Sequence, residues 1–327
     1  MKDFQLHIQN EFIQFEEAFS AALSTNHPLL SEVLHYIHTK RGKLLRPTLV
    51  LLAAAICRGI TSKTIQTAVV LELTHTASLV HDDVVDNSPL RRGDKSVHEQ
   101  WNNKIAILTG DYMLAKVISL LSELRNANLL SIISSMSKSL TEGELLQLHA
   151  GGSMWISEKA YNQIIEQKTA SLFAACSEAG AASTGGTTRQ MTALRNYGMH
   201  LGMCFQIKDD ILDYSDIENI GKPTMNDLQD GKVTLPLLIS IQRATKDEAA
   251  AIRAKAEALA NKVTNINIFE TEQDIKAFVL RYDGIRYAQQ EMEKHRKKAI
   301  EALAIFPKNK YKDSLIALLD YAINRVK

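Results

Sequence analysis

Apolar residues recur three and four positions apart along most of the chain, and this spacing places them on one face of an α-helix. Phe12, Phe15 and Phe19 show the pattern near the N-terminus. No segment alternates apolar and polar residues or clusters β-branched residues as a strand does. The spacing predicts helices over residues 4–23, 29–38, 48–58, 64–86, 102–120, 129–149, 161–179, 197–214, 247–259, 273–303 and 311–326. The predicted fold class is therefore all-α.

The chain has no visible linker. Its 327 residues include 6 Pro and 15 Gly, and no Ser-, Gly- or Pro-rich stretch separates two parts of different composition. We therefore predict a single helical domain over residues 1–327. The N-terminus lacks the basic start and continuous apolar core of a signal peptide. The longest apolar run, residues 49–57, is too short to cross a bilayer. A cytoplasmic protein without stable membrane insertion is expected.

Charge and cysteine usage exclude several classes of function. The net charge of +1 argues against an electrostatic nucleic-acid binder. Cys57, Cys176 and Cys204 are an odd number of scattered thiols without a C-x-x-C spacing, which indicates neither a disulfide framework nor a zinc site. Each is expected to be a small buried hydrophobic residue. The C-terminal Arg325-Val326-Lys327 is expected to be an exposed basic end.

Three aspartates end the predicted helix over residues 64–86. Asp82 and Asp86 are four residues apart and share a face, and Asp83 lies beside them. Their mutual repulsion and the negative end of the helix dipole both disfavour this arrangement. A hard cation would compensate, and Mg²⁺ prefers carboxylate oxygens that it can share with substrate phosphates.

The same D-D-x-x-D pattern returns as Asp209, Asp210 and Asp213 inside another apolar segment. One such motif in a chain with 37 acidic residues is equally well explained as a solvated helix face. Two, each within hydrophobic sequence, argue against that alternative because unpaired acids are seldom buried. The two motifs are expected to face each other across a helix bundle as a site for several metal ions and a diphosphate.

The two motifs resemble those of the trans-isoprenyl diphosphate synthases (polyprenyl synthetases), and the resemblance extends from about Gly42 to the C-terminus. It implies a bundle of the isoprenoid synthase type with a central active-site cavity. The activity that it implies is Mg²⁺-dependent head-to-tail condensation of isopentenyl diphosphate with an allylic diphosphate such as farnesyl diphosphate. About three Mg²⁺ ions per active site and a homodimer are the family expectation. Asp82, Asp86 and Asp209 would hold the metal, supported by Asp83, Asp210 and Asp213.

Basic residues at several places fit phosphate recognition. Residues 40–47 form a basic turn similar to the G-G-K-R-x-R-P element that binds isopentenyl diphosphate, with Arg41 and Leu44 replacing its first Gly and one Arg; a solvated loop is the alternative. The resemblance assigns Lys43, Arg46, His75 and Arg92 to isopentenyl diphosphate. It assigns Arg91, Lys168, Thr169, Lys222 and Lys232 to the allylic diphosphate. Of these, Lys222 and Lys232 would form a mobile lid over the site. Gln206 shares a face with Asp209 and is predicted to donate to phosphate. Arg91 and Arg92 could instead be ion-paired with the aspartates, and Lys168 could be a surface lysine.

Product length is predicted from Ala77 and Ser78. Short-chain members of the family carry bulky aromatic residues five and four positions before the first motif, and here both residues are small. The growing chain is then expected to continue along Thr74, Leu71 and Val70. We predict a hexaprenyl to nonaprenyl product for quinone side chains, of the octaprenyl and heptaprenyl synthase type.

Three other functions compete with this one. A shorter-chain farnesyl or geranylgeranyl diphosphate synthase shares all the motifs. A class I terpene cyclase would have an Asn/Asp-Ser/Thr-Glu motif in place of the second D-D-x-x-D. A non-catalytic subunit of a heteromeric prenyl synthase would be expected to have lost aspartates, whereas this chain keeps all six.

Overall fold

The structure is a computed structural model that describes residues 2–150, 154–214, 225–264 and 266–325. Nearly all regular structure in these ranges is helical, which confirms the predicted fold class. The helices are α1 (Gln9–Ala22), α2 (Pro28–Thr39), α3 (Leu45–Cys57), α4 (Ser62–Val85), α5 (Val97–Gln100), α6 (Asn103–Leu124), α7 (Ala127–Ala150), α8 (Glu158–Ile165), α9 (Ser171–Ser183), α10 (Thr188–Leu212), α11 (Asn226–Gln229), α12 (Leu235–Arg243), α13 (Lys246–Ala260), α14 (Ile268–Arg281), α15 (Gly284–Ala302) and α16 (Lys310–Asn324).

Two predicted helices need correction. The predicted first helix begins as a 3₁₀ segment, Asp3–Ile8, before α1. The predicted helix over residues 273–303 is two helices, α14 and α15, separated by a turn in which Asp283 has a φ of 56°. A Cβ on Gly284 would lie 2.2 Å from the carbonyl oxygen of Pro236, so only glycine lets α15 begin this close to α12.

A small hairpin follows α4. Its strands, β1 (Leu90–Arg91) and β2 (Asp94–Lys95), pair antiparallel with Leu90 opposite Lys95. Arg92 and Gly93 form the turn, both with positive φ, which suits a tight hairpin. Strands of two residues are too short to show alternation, which is why the sequence did not predict them.

One compact unit comprises Met1–Ser137, Leu172–Gly198 and Ala302–Ala317. At its centre α4 packs against α1, α3 and α6. The helix is capped by Thr61, whose hydroxyl accepts the N–H of Thr64 at 3.3 Å. Its middle is almost fully buried, so the first aspartate motif ends a rigid helix.

A second compact unit comprises Lys138–Ser171, Met199–Glu301 and Leu318–Lys327. Here α12 packs against α8, α13 and α14. The Tyr287 hydroxyl donates to Glu158 Oε1 at 2.7 Å and joins α15 to the start of α8. The single-domain organisation stays a prediction.

Membrane and cysteine predictions are tested in part. In the described ranges, only α6 is long and apolar enough to cross a membrane, and core helices of soluble proteins pass the same test. It packs against α2, α4 and α5. Cys176 and Cys204 are buried as predicted, but Cys57 is only half-buried, which corrects the prediction for that residue.

Candidate active site

The first aspartate motif lies at the C-terminal end of α4. Asp83 is buried and accepts a hydrogen bond of 2.8 Å from Arg91 Nε, and the Arg91 Nη2 atom contacts the same oxygen. Burial raises the pKa of Asp83, and the guanidinium of Arg91 opposes that shift. Asp82 and Asp86 are half-buried. The motif therefore divides into an inward carboxylate that fixes Arg91 and two more accessible carboxylates.

A pocket in the same unit brings together several predicted anion-binding residues. Arg91, Arg92 and His75 line it. Arg92 Nη1 donates to the carbonyl oxygen of Lys40 at 2.9 Å. A Cβ on Gly42 would lie 2.7 Å from Arg92 Nη2, so the glycine of the basic loop makes room for this guanidinium.

Lys43 and Arg46, the other predicted binding residues of the basic loop, lie outside the lining of this pocket. The Arg46 guanidinium stacks on the Phe173 ring at 5.1 Å from its centroid, and Lys43 is exposed. Leu44, which stands where the family has Arg, adopts a left-handed conformation with φ 51° just before α3. The loop therefore departs from ordinary backbone geometry at one of the positions where its sequence departs from the family pattern.

His75 is buried beside these arginines. Burial lowers its pKa well below the ordinary value, and the positive charges of Arg46 and Arg92 lower it further. The imidazole is therefore neutral near pH 7. A neutral ring carries one N–H donor and one acceptor nitrogen, so it can donate to a phosphate oxygen without adding charge.

In the second motif, Asp210 is the buried member. Its side chain accepts hydrogen bonds from the Tyr161 hydroxyl and, at 3.0 Å, from Gln206 Nε2. Burial raises the pKa of Asp210 to about 8, with a further contribution from the negative charge of Asp227. Both oxygens are engaged by protein donors, which fits the supporting role predicted for Asp210.

Gln206 links this aspartate to the predicted phosphate-binding threonine. The Thr169 hydroxyl donates to Gln206 Oε1 at 2.8 Å, while the Gln206 amide donates to Asp210. The two side chains that we predicted to contact phosphate thus contact each other. A hydrogen-bonded chain runs from Thr169 through Gln206 to Asp210.

Asp209 and Asp213 have different partners. Arg325 Nη2 lies 2.7 Å from Asp209 Oδ1, and the guanidinium stacks on Phe205 at 3.9 Å. The Arg325 side chain is only 8% exposed, so the expectation of an exposed basic end was wrong for this residue. Asp213 Oδ1 accepts the N–H of Asn226 at 3.1 Å. Burial, and then the charge of Asp227, raise the pKa of Asp213 to about 7.

Lys168 lies in a π-helical segment, Glu166–Ala170, between α8 and α9. Its Nζ is 2.5 Å from Glu144 Oε2 and 3.5 Å from Gln147 Oε1. A Cβ on Gly143 would lie 2.9 Å from the backbone nitrogen of Lys168, so α7 closely approaches the π-helical turn. π-segments are frequent at functional sites. The Lys-Thr pair was visible in the sequence, but this geometry was not.

Four predicted positions remain. The Lys232 backbone N–H donates to the backbone carbonyl oxygen of Asp227 at 2.7 Å. Burial raises the pKa of the Asp227 side chain, and the charge of the Lys232 side chain lowers it. Lys222 lies outside the described residues. Ala77 is fully buried, and Ser78 is half-buried with its hydroxyl on the His75 carbonyl oxygen at 2.9 Å.

A divalent cation fits the carboxylates of these motifs. Among the described residues, no three His, Cys, Asp or Glu side chains are already arranged around one point as metal ligands. Asp227 nevertheless raises the pKa of both Asp210 and Asp213, which shows that negative charge accumulates around the second motif. Crowded carboxylate oxygens are the donors that Mg²⁺ and Ca²⁺ prefer.

Sequence reasoning missed Glu72, Glu144, Tyr161 and Asp227. Glu72 had a signal, since a single acid stands within the apolar run over residues 68–74. Asp227 follows the second motif closely in sequence. Nothing in the sequence singled out Tyr161, because its contact with Asp210 joins residues 49 positions apart.

Comparisons with known sequences agree on one family. The sequence model of the polyprenyl synthetase family matches residues 27–270. An octaprenyl diphosphate synthase of Haemophilus influenzae is 35% identical over 306 residues, covering 93% of this chain and 91% of the relative. An all-trans-nonaprenyl-diphosphate synthase of Rhodobacter capsulatus is 36% identical over 327 residues, covering 99% and 98%.

Solved structures match over nearly the whole chain. A polyprenyl synthase of Caulobacter crescentus, complexed with calcium and isoprenyl diphosphate, has a TM-score of 0.90 and 31% identity, covering 99% of this chain and 97% of that one. A geranylgeranyl pyrophosphate synthase of Bacteroides thetaiotaomicron has a TM-score of 0.83 and 36% identity, with 98% of each chain covered. The chain therefore belongs to the polyprenyl synthetase family, whose members are prenyltransferases.

Proposed function

We propose that this protein is a trans-polyprenyl diphosphate synthase that adds isopentenyl diphosphate to an allylic diphosphate, such as farnesyl diphosphate, in the presence of Mg²⁺. The observation that carries the proposal is the ion pair between Asp83 and Arg91. It joins the first aspartate motif to a pocket that His75 and Arg92 also line. A carboxylate-rich motif and a cationic pocket held together suit a substrate that carries both metal-bound and protein-bound phosphate oxygens.

Mg²⁺ is the proposed cofactor, with about three ions per active site. Asp82, Asp86 and Asp209 would hold the metal, and Asp83, Asp210 and Asp213 would support them. When bound, the metal neutralises the charge that develops on the leaving diphosphate. The calcium and isoprenyl diphosphate of the Caulobacter crescentus structure support an oxygen-ligand site of this kind.

The proposed catalytic contribution of the side chains is electrostatic. Arg91, Lys168 and Lys232, together with Lys222, place positive charge where the allylic diphosphate departs. Thr169 and Gln206 would turn from each other to phosphate oxygens in the complex. Lys43, Arg46, His75 and Arg92 hold isopentenyl diphosphate so that its double bond attacks the allylic carbon. The departing diphosphate then takes the proton that the product loses.

The product that we propose is a hexaprenyl to nonaprenyl diphosphate for quinone side chains. Small side chains at Ala77 and Ser78 support it, as do the octaprenyl and nonaprenyl synthases among the relatives. A geranylgeranyl-length product is the second candidate, because the Bacteroides thetaiotaomicron enzyme is equally similar in sequence.

We propose that the enzyme acts in the cytoplasm as a homodimer. Ile107, Leu114 and Ile118 share one face of α6, and each is more than a third exposed. Leu108 on α6 and Leu130 on α7 add exposed apolar surface in the same unit. A second copy of the chain would cover this surface, and exposed apolar patches of this kind mark interaction sites.

Replacement of one metal-binding carboxylate tests the proposed chemistry. We expect Asp82→Asn to reduce diphosphate release from isopentenyl and farnesyl diphosphates roughly 100-fold or more, since a preorganised charge is lost from the reacting centre. Asp313→Asn, an exposed acid outside both motifs, should retain the wild-type rate. Equal rates for both variants would contradict the proposal. A wild-type protein that released no diphosphate from any primer would favour the non-catalytic subunit.

A further inference from the structure

Glu72 is a buried acid in a pocket built for anions. It lies on α4 with only 7% of its surface exposed. Residues 72, 75, 79 and 83 share one face of this helix and all line the same pocket as Arg92. Glu72 therefore points into the pocket with His75 and Asp83, although no motif in the sequence includes it.

The surroundings of Glu72 are strongly positive. Arg46, Arg92 and Arg41, in decreasing order, stabilise its charged form, while burial raises the pKa of Glu72 to about 7. Its Oε2 atom has no hydrogen-bond partner among the described residues. Burying a carboxyl in this way costs free energy unless nearby positive charges compensate for the lost contact with water.

The arginines beside Glu72 are each oriented by other contacts. Arg92 donates to the Lys40 carbonyl oxygen, and Gly42 backs onto its guanidinium. Arg46 stacks on the Phe173 ring, and Arg41 Nε donates to the His38 carbonyl oxygen at 3.0 Å. Arg41 is also paired with Glu16, whose Oε1 atom lies 3.6 Å from its Nη2 atom. Arg46 and Arg92 repel each other, and a negative charge beside both would offset that repulsion before substrate arrives.

We propose that Glu72 is a positioning residue that holds the Arg46 and Arg92 guanidiniums in the orientation that receives the diphosphate of the isopentenyl substrate. It acts through the arginines and does not touch the substrate. The inference rests on the proposed function, which assigns this pocket to isopentenyl diphosphate. The assignment concerns substrate affinity at one of the two substrate sites only.

The sign of the effect separates this role from simple electrostatics. A carboxylate beside an anion site repels the anion, so removing its charge should tighten substrate binding if Glu72 has no positioning role. If Glu72 orients the arginines, removing its charge should weaken binding instead. Leaving the buried guanidiniums without their compensating charge corresponds to a change of about tenfold or more.

Steady-state kinetics of Glu72→Gln test the inference. We expect the KM for isopentenyl diphosphate to rise about tenfold, with the KM for farnesyl diphosphate changed less than about twofold. Glu72→Asp keeps the charge but withdraws it by one methylene, and an intermediate rise is expected. Glu123→Gln, an exposed acid on α6, is the matched control and should match wild type. Circular dichroism checks that each variant is folded.

A wild-type protein that condenses no isopentenyl diphosphate with farnesyl diphosphate overturns the proposed function. In an active protein, Arg46→Met distinguishes failure of the inference from failure of the site assigned to isopentenyl diphosphate. An unchanged or lower KM for isopentenyl diphosphate in both Glu72 variants, with a raised KM in Arg46→Met, overturns the positioning role and leaves the proposed site intact. An unchanged KM in all three variants overturns both the positioning role and the assignment of Arg46 to isopentenyl diphosphate. A KM that rises equally for both substrates also overturns the positioning role, because it indicates general loss of structure. If Glu72→Gln does not fold, Glu72→Asp alone decides on the same criterion.

Discussion

Replacing Ala77 by phenylalanine should shorten the product. Ala77 lies on α4 five residues before Asp82, or about 7.5 Å along the helix axis at 1.5 Å per residue. Val70, the last position on the predicted path of the growing chain, is about 18 Å from Asp82. A phenylalanine ring at position 77 would block this path within the first half. We expect the product of Ala77→Phe to stop at farnesyl or geranylgeranyl length.

The same substitution has a cost in stability that must be measured alongside. Ala77 is fully buried, and extra carbon atoms in a packed core destabilise by about 1–3 kcal/mol. For a chain of this size we expect the melting temperature to fall by roughly 2–8 °C. A loss of this size leaves most of the protein folded at 25 °C. Thermal unfolding followed by circular dichroism measures it.

Product sizing then tests whether Ala77→Phe shortens the product. Each variant is incubated with Mg²⁺, labelled isopentenyl diphosphate and geranyl diphosphate, and the dephosphorylated prenols are separated by chromatography. Ala299→Phe is the matched control, because Ala299 is equally buried on α15, a helix that carries none of the proposed site residues. It should lose similar stability and keep the wild-type product. A folded Ala77→Phe enzyme with wild-type product length would refute the reasoning.

Three further predictions concern assembly, metal binding and pH. Leu108→Glu combined with Ile118→Glu should convert the proposed homodimer to a monomer in light scattering, because these side chains are 66% and 69% exposed on α6; an unchanged mass would count against this interface. Arg325→Met should tighten Mg²⁺ binding about fivefold in calorimetry, since the guanidinium paired with Asp209 competes with a cation. Weaker binding would show instead that Arg325 orients the carboxylate. His295 has a pKa lowered from 6.5 to about 4 by burial and by a neighbouring histidine. Its folded-state pKa is below its unfolded value, so stability is fully present above pH 6.5 and falls by about 1–2 kcal/mol toward pH 4. Denaturant unfolding of His295→Phe should show a smaller fall, and an identical pH profile would contradict the assignment.

Helix α4 shows how much of the fold the sequence predicts. The apolar spacing predicted residues 64–86 and the structure has Ser62–Val85, because apolar residues recur at helical spacing along nearly all of this helix. Helical spacing also determines which residues share a face. It therefore places Asp82 with Asp86 on one face, and Glu72 with Asp83 on one face, without any knowledge of the structure. The break at Asp283 was missed, although Asp-Gly is a turn signal, because the apolar positions continue on both sides of it.

Contacts between helices were beyond the sequence. Tyr161 to Asp210 and Arg325 to Asp209 join positions about 50 and more than 100 residues apart, and only packing brings them together. The difference in burial between the aspartates of each motif also arises from packing. Spacing shows three aspartates, whereas burial separates Asp83 and Asp210 from the more accessible members.

The length of the wild-type product tests the central claim most directly. Purified protein is incubated with Mg²⁺, labelled isopentenyl diphosphate and farnesyl diphosphate, and the dephosphorylated prenols are sized by chromatography against standards. Our account predicts one main prenol of hexaprenyl to nonaprenyl length. A product that stops at geranylgeranyl length would contradict the account of chain length, and no elongation at all would contradict the proposed activity.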